Sequence, residues 1–184
     1  LTERIISSEN EIDMNRWRKP LVLKEKEKIK TFKTNSDGLR LWFTDKGSES
    51  FGSIRAKARL RKSLEGIDLI VVDNLQLIKP MDYKLPKNQQ IKQLTEAFKL
   101  LAKDLGVAIV LLCQLSVDSE PSGKDSGKSD REPDNRSWAD SKRIIDDADV
   151  AMILHRESRD SSTARLIVTK HRGGPTRPVD FNWE

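Results

Sequence analysis

Two apolar runs in this chain end in polar side chains suited to a phosphate and its metal. LIVV (69–72) is followed by Asp73, and VAIVLLC (107–113) by Gln114. In open α/β sheets, ligands collect beyond the carboxyl ends of the strands. A carboxylate there can hold Mg2+ through its water shell, and a glutamine can orient on a terminal phosphate. An aspartate that ends an apolar strand also serves simply as a turn former. Lys170 and Arg172 are a second pair. Two residues apart on a strand, they project from one face, beside Gly173-Gly174, with His171 facing the other way. Two cations on a hairpin make a phosphate clamp, and an arginine supplied by a neighbour contributes about 10³–10⁵ in rate. No carboxylate lies between Thr169 and Arg177 to neutralise them, although a solvated basic hairpin is the plainer reading.

Other combinations carry less. Cys113, His155 and His171 are spread over separate strands, so no metal-ligand spacing arises. GKDSGKS (123–129) imitates a phosphate loop but is one residue short of G-x-x-x-x-G-K-[ST], and SDREPDN after it offers no helix amino terminus.

Elements must place these groups. LTERIISSE opens in mid-helix with no cap before its first apolar position, which predicts a cut domain. KEKEKIKTFK reads as an exposed helix, LRLWFTD as a short strand, and SFGSIRAKARLRKSL as a helix capped by Ser50. LIVVD is an apolar strand. Ile91, Leu94, Phe98, Leu101 and Leu105 then recur at spacings of three and four, an amphipathic helix stopped by Gly106 before the strand VAIVLLCQ. Residues 116–137 are polar and without periodicity, a mobile loop. A short helix around 138–146 follows, then strands at VAMIL and ARLIVTK, the turn HRGGPTR, and a last strand in which Val179, Phe181 and Trp183 alternate. Helices alternating with continuously apolar strands predict an α/β fold, a mainly parallel sheet covered on both faces with a closing antiparallel hairpin.

The 184 residues suit one domain spanning 1–184, and 34% of them are charged. No run of about 18 apolar residues exists, so no membrane helix is expected. The lone cysteine allows no internal disulfide and fits a reducing, cytoplasmic setting. Net charge is +5, with six basic against two acidic residues from Arg156 to Arg177 and ten acidic against six basic over 118–149. That excess permits nucleic-acid binding at one end of the chain without requiring it.

DNLQLIKP after LIVV, QQIKQLTEAFKLLAKDLGV, VAIVLLCQLS, IIDDADVAMILHRE and LIVTKHRGGPT, in this order, resemble the DnaB family of replicative helicases across nearly the whole chain. The resemblance implies a RecA-like three-layer motor with ATP and Mg2+ as cofactors. It makes Asp73 the Walker B carboxylate, Gln114 the γ-phosphate sensor, and Lys170 and Arg172 the groups that reach a neighbouring subunit's nucleotide. It further implies a hexameric ring on single-stranded DNA, with primase and a helicase loader as candidate partners. The family's DNA-gripping segment falls on SWADSKRIIDDAD, making Asp140, Lys142 and Arg143 candidate DNA contacts. Here Ala139-Asp140-Ser141-Lys142 stands where the family commonly has Arg-Glu-Ser-Gly, and Asn74 where it has Tyr. Lys142 and Arg143 can compensate by charge, and Trp138 either stacks on a base or packs.

The family's Walker A loop and catalytic glutamate have no counterpart here, so the piece by itself is expected to be inactive. Two readings stand beside the helicase: a recombinase or clock-type ATPase on the same fold, and a non-catalytic remnant that binds a ring or DNA.

Overall fold

The computed structural model describes residues 6–8, 12–35, 40–44, 46–114, 142–158 and 160–183. They divide into two compact units, Leu1–Asp45 and Lys46–Glu184. In the first, a 3-10 turn at Met14–Arg18 precedes the lysine-rich helix α1 (Leu23–Asn35). The Glu25 carboxylate accepts the Val22 backbone N–H at 2.8 Å. That satisfies one of the donors a helix start leaves unpaired. Trp17 donates its indole N–H to the buried Ser7 hydroxyl at 2.6 Å. The strand expected at LRLWFTD does not form in 40–44. Apolar alternation makes a strand only where a neighbour completes the ladder, and no such pairing exists among the described residues.

The second unit carries the candidate chemistry. Helix α2 (Phe51–Glu65) starts where Ser50 Oγ accepts the Ser53 N–H, and ends at Gly66 with φ 69°. Strand β1 (Leu69–Val72), helix α3 (Lys87–Leu105) and strand β2 (Ala108–Leu111) form a β-α-β unit. Its strands pair in parallel, from Leu69 opposite Ala108 to Val72 opposite Leu111. Gly106, at φ 60°, turns the chain from α3 into β2 while its N–H and that of Val107 reach back to the last carbonyls of the helix.

The helical stripe packs as its spacing requires. Leu94, Phe98 and Leu101 are buried, Ile91 and Leu105 half-buried, and Phe98 meets Phe51 edge-to-face at 5.1 Å between ring centroids. Leu75 and Ile78 complete this core, and Val72, Ile109 and Leu111 line it from the sheet. Burying one such large side chain contributes about 1.5–3 kcal/mol, enough for this stripe to hold the sheet ends in place. Only one face of the parallel pair is covered in this way: Leu69, Val71, Val110 and Leu112 on the other are exposed among the described residues, against the expected cover on both.

Helix α4 (Lys142–Asp147) leads into β3 (Val150–His155), β4 (Thr163–His171) and β5 (Val179–Asn182), an antiparallel three-stranded sheet in the order β3-β4-β5. The α/β class holds, with a parallel pair and an antiparallel closing sheet. Across β4 and β5, Arg165 grips both oxygens of Asp180, at 2.6 and 3.2 Å, and lowers its pKa.

Candidate functional site

Asp73 follows β1 directly and Gln114 stands three residues past β2, beyond the carboxyl ends of adjacent parallel strands, and a specific set of bonds joins the two segments. The Leu112 N–H donates to Val72 O at 3.0 Å, and the Leu75 N–H donates to Leu112 O at 2.9 Å. Gln76 then brackets the backbone of Gln114. Its amide donates to Gln114 O at 2.9 Å, and its carbonyl accepts the Gln114 N–H at 3.3 Å. The segments that follow β1 and β2 are therefore stitched together, and Asp73 and Gln114 on them are exposed. Sequence reasoning missed Gln76; its side chain meets Gln114 from the 3-10 turn Leu75–Leu77, which only the folded pairing of β1 with β2 brings there.

The Asp73 carboxylate has no side-chain partner among the described residues, and no group of three or more metal-type ligands exists among them. A lone exposed carboxylate fits a magnesium ion, which keeps several waters and takes one or two carboxylates beside phosphate oxygens. The Asp73-Asn74 peptide bond is cis, and the buried Asn74 Oδ1 has no hydrogen-bond partner among the described residues. Behind Gln114, burial pushes the Cys113 thiol up to about 11.

The basic pair sits elsewhere. The Lys170 ammonium donates to Ile145 O at 2.6 Å and Asp146 O at 2.9 Å, so it closes the carboxyl end of α4. A cation suits the unpaired carbonyls there. Arg172 donates to Asp149 Oδ1 at 3.1 Å and to Asp146 O at 3.4 Å. Both side chains thus reach the Asp146 carbonyl, as two residues sharing a face should. The expectation that no carboxylate neutralises them is corrected. It considered only residues 169–177, whereas the partner comes from the start of β3. Val150 pairs with His171, which sets Asp149 opposite Arg172, and the Arg172 N–H donates to Asp149 O at 2.9 Å. The signal was in the sequence: antiparallel pairing of VAMIL with LIVTK puts an acid opposite a base.

Arg172 and Asp149 also border a recess with Lys99, Lys103, Gly106 and Val107, at the point where α3 turns into β2. That is the amino end of β2; Gln114 lies seven residues on, past its carboxyl end. At about 3.3 Å per residue, roughly 20 Å separates the two, well beyond the reach of an arginine side chain. Arg172 therefore stands at the opposite end of the parallel pair from its own chain's Asp73 and Gln114.

The comparisons fit this geometry. The family described as DnaB-like helicase C terminal domain matches residues 1–184, the whole chain. The chain belongs to this DnaB-like helicase family. It is 32% identical to the replicative DNA helicase DnaB of Leifsonia xyli over 96% of this chain, and 29% identical to that of Treponema pallidum over 100% of it. It spans about two fifths of those curated relatives, 39% and 40% of their lengths. Two solved structures share the fold at 24% identity. One, described as an ATPase domain, has a TM-score of 0.82, with 97% of this chain and 64% of that one covered. The other, a DnaB-like replicative helicase described with its interactions with primase, has 0.84, with 99% and 46% covered.

The DnaB-like chain's candidate DNA segment is reached only at its end. Trp138 and Asp140, the loop 116–137 and the GKDSGKS decoy within it lie outside the described residues, as do the side chains of Lys142 and Arg143, whose backbone begins α4. What is described is the other end of that helix. The buried Thr95 of α3 hydrogen-bonds Asp147 at 2.5 Å, and Lys99 of α3 pairs with Asp149. No described helix is long and apolar enough to cross a membrane.

Proposed function

We propose that this chain is part of the ATP-driven motor of a ring-shaped replicative DNA helicase, which moves along single-stranded DNA and unwinds duplex. The observation that carries the reading is the stitched pair of strand ends, with Asp73 and Gln114 exposed just beyond them. Asp73 holds the water shell of Mg2+, and Gln114 orients on the terminal phosphate of ATP. A bound Mg2+ neutralises charge developing on the phosphates. Arg172 serves the nucleotide of the next subunit, supported by its place at the far end of β2. Lys142 and Arg143, with Asp140, contact the single strand at the amino end of α4. The complete protein works as a homo-oligomer, with a hexamer the proposed form, and primase and a loader are its candidate partners in the cytoplasm. Family membership favours this reading over a recombinase or a clock-type ATPase.

The test is made in the full-length protein. Asp73→Asn and Gln114→Ala, both at exposed strand-end positions, are expected to cripple ATP hydrolysis with an unchanged melting temperature. Near-normal turnover by either variant would remove that residue from the mechanism.

A further inference from the structure

Asp149 is a three-way junction. Its Oδ2 accepts from Lys99 on α3, its Oδ1 accepts from Arg172 at 3.1 Å, and its backbone oxygen holds the Arg172 N–H at 2.9 Å. Each oxygen has a separate task. Lys99 fixes the rotation of the carboxylate, so the second oxygen faces the guanidinium. Asp146 O takes a further Arg172 donor at 3.4 Å. A guanidinium carries five N–H donors in a rigid fork. Two point back to Asp149 and Asp146, and the others remain for an anion outside. The side chain of Arg172 is 55% exposed, so the fork is oriented without being covered.

We propose that Asp149, itself oriented by Lys99, is the positioning residue that aims Arg172 at the neighbouring subunit's nucleotide. This rests on the trans role of Arg172 proposed above. An exposed ion pair contributes little to stability; what it supplies here is direction. A free arginine side chain samples many rotamers, and catalysis by a charged group depends on its being in place before charge develops. The device runs from the core to the finger: α3 carries Lys99, Lys99 sets Asp149, and Asp149 sets Arg172.

The experiment compares full-length rings carrying Asp149→Asn, Asp149→Glu, Lys99→Gln and Arg172→Ala, reading ring mass, melting temperature, nucleotide KM and kcat. Asp149→Asn keeps the shape but loses the charge. It is expected to lower kcat roughly tenfold to a hundredfold, the size a misplaced catalytic group costs. Ring mass, melting temperature and nucleotide KM should hold. Asp149→Glu should recover part of the rate, and Lys99→Gln should lower it more mildly. A merely structural role would instead move melting or assembly, and rescue would then follow folding, not rate. If Arg172→Ala is inactive and Asp149→Asn turns over as the parent does, the positioning role is overturned while the finger stands. A faster Asp149→Asn ring would likewise overturn it, since Asp149 would then restrain the finger. If Arg172→Ala keeps its turnover, the finger itself fails and this role with it.

Discussion

At the scale of single residues, position on a strand separates exposed candidate groups from buried ones. Asp73 and Gln114 are exposed past the ends of β1 and β2, whereas Cys113, one residue before Gln114, is half-buried against the core. Its thiol, raised to about 11 by burial, stays protonated near neutrality. Thiolate is the reactive form. Cys113 is therefore expected to react with a thiol reagent at pH 7.5 far more slowly in the folded protein than in denaturant, which absorbance of the released chromophore measures. Equal rates in the two states would contradict its burial. Asp73, Gln114, Lys170 and Arg172 were legible as single residues because an apolar run or a glycine pair marks each place. Their partners were not. Gln76 and Asp149 act through pairing with residues 38 and 23 positions away. Such separations become contacts only once the sheet registers are known.

At the scale of elements, the helices and strands followed from periodicity and caps: the α3 stripe, Ser50 before α2, Gly106 after α3. LRLWFTD failed because a strand is defined by its neighbour, not by its own alternation. The short helix α4 is held less by its own turns than by what surrounds it. Six residues make a marginal helix alone. Here Thr95 of α3 binds Asp147 at its carboxyl end, Lys99 of α3 holds Asp149 just past it, and Lys170 closes its last carbonyls from β4. This has a consequence for Asp149. The hydrogen bond from Lys99, then its charge and those of Arg172 and Lys170, hold the carboxyl below its ordinary value. The charged form is favoured by folding, so the tie is fully present above the ordinary carboxylate pKa of about 3.9. It is lost as pH falls through the lower folded value. Carboxyl-carbon NMR is expected to find Asp149 titrating below an exposed reference aspartate, and Lys99→Met should move it back up. An unchanged value in that variant would show that Lys99 does not set the carboxylate.

At the scale of the whole molecule, the ends of β1 and β2 that carry Asp73 and Gln114, and the proposed finger Arg172, stand at opposite ends of the parallel pair. A head-to-tail ring is the assembly that joins such ends, because each interface brings one face of a subunit to the other face of the next. In a full-length ring, Arg172→Ala is thus expected to abolish hydrolysis while sparing nucleotide binding. Asp73→Asn should abolish hydrolysis too, and the two should complement each other. When the two variants are mixed equally and subunits exchange, roughly a quarter of the interfaces join an intact Asp73 to an intact Arg172 by random assortment. A matched control shows how well the ring tolerates dead interfaces. Mixing wild type equally with the Asp73→Asn, Arg172→Ala double variant also leaves roughly a quarter of such interfaces intact if the finger acts in trans. Phosphate release by the two mixtures should then be equal where interfaces act independently. If the finger served its own subunit, the control would keep about half of its sites and the variant mixture none. Control activity of about half the wild-type value, with none in the variant mixture, would therefore place Arg172 in its own chain's site, against its place at the far end of the parallel pair.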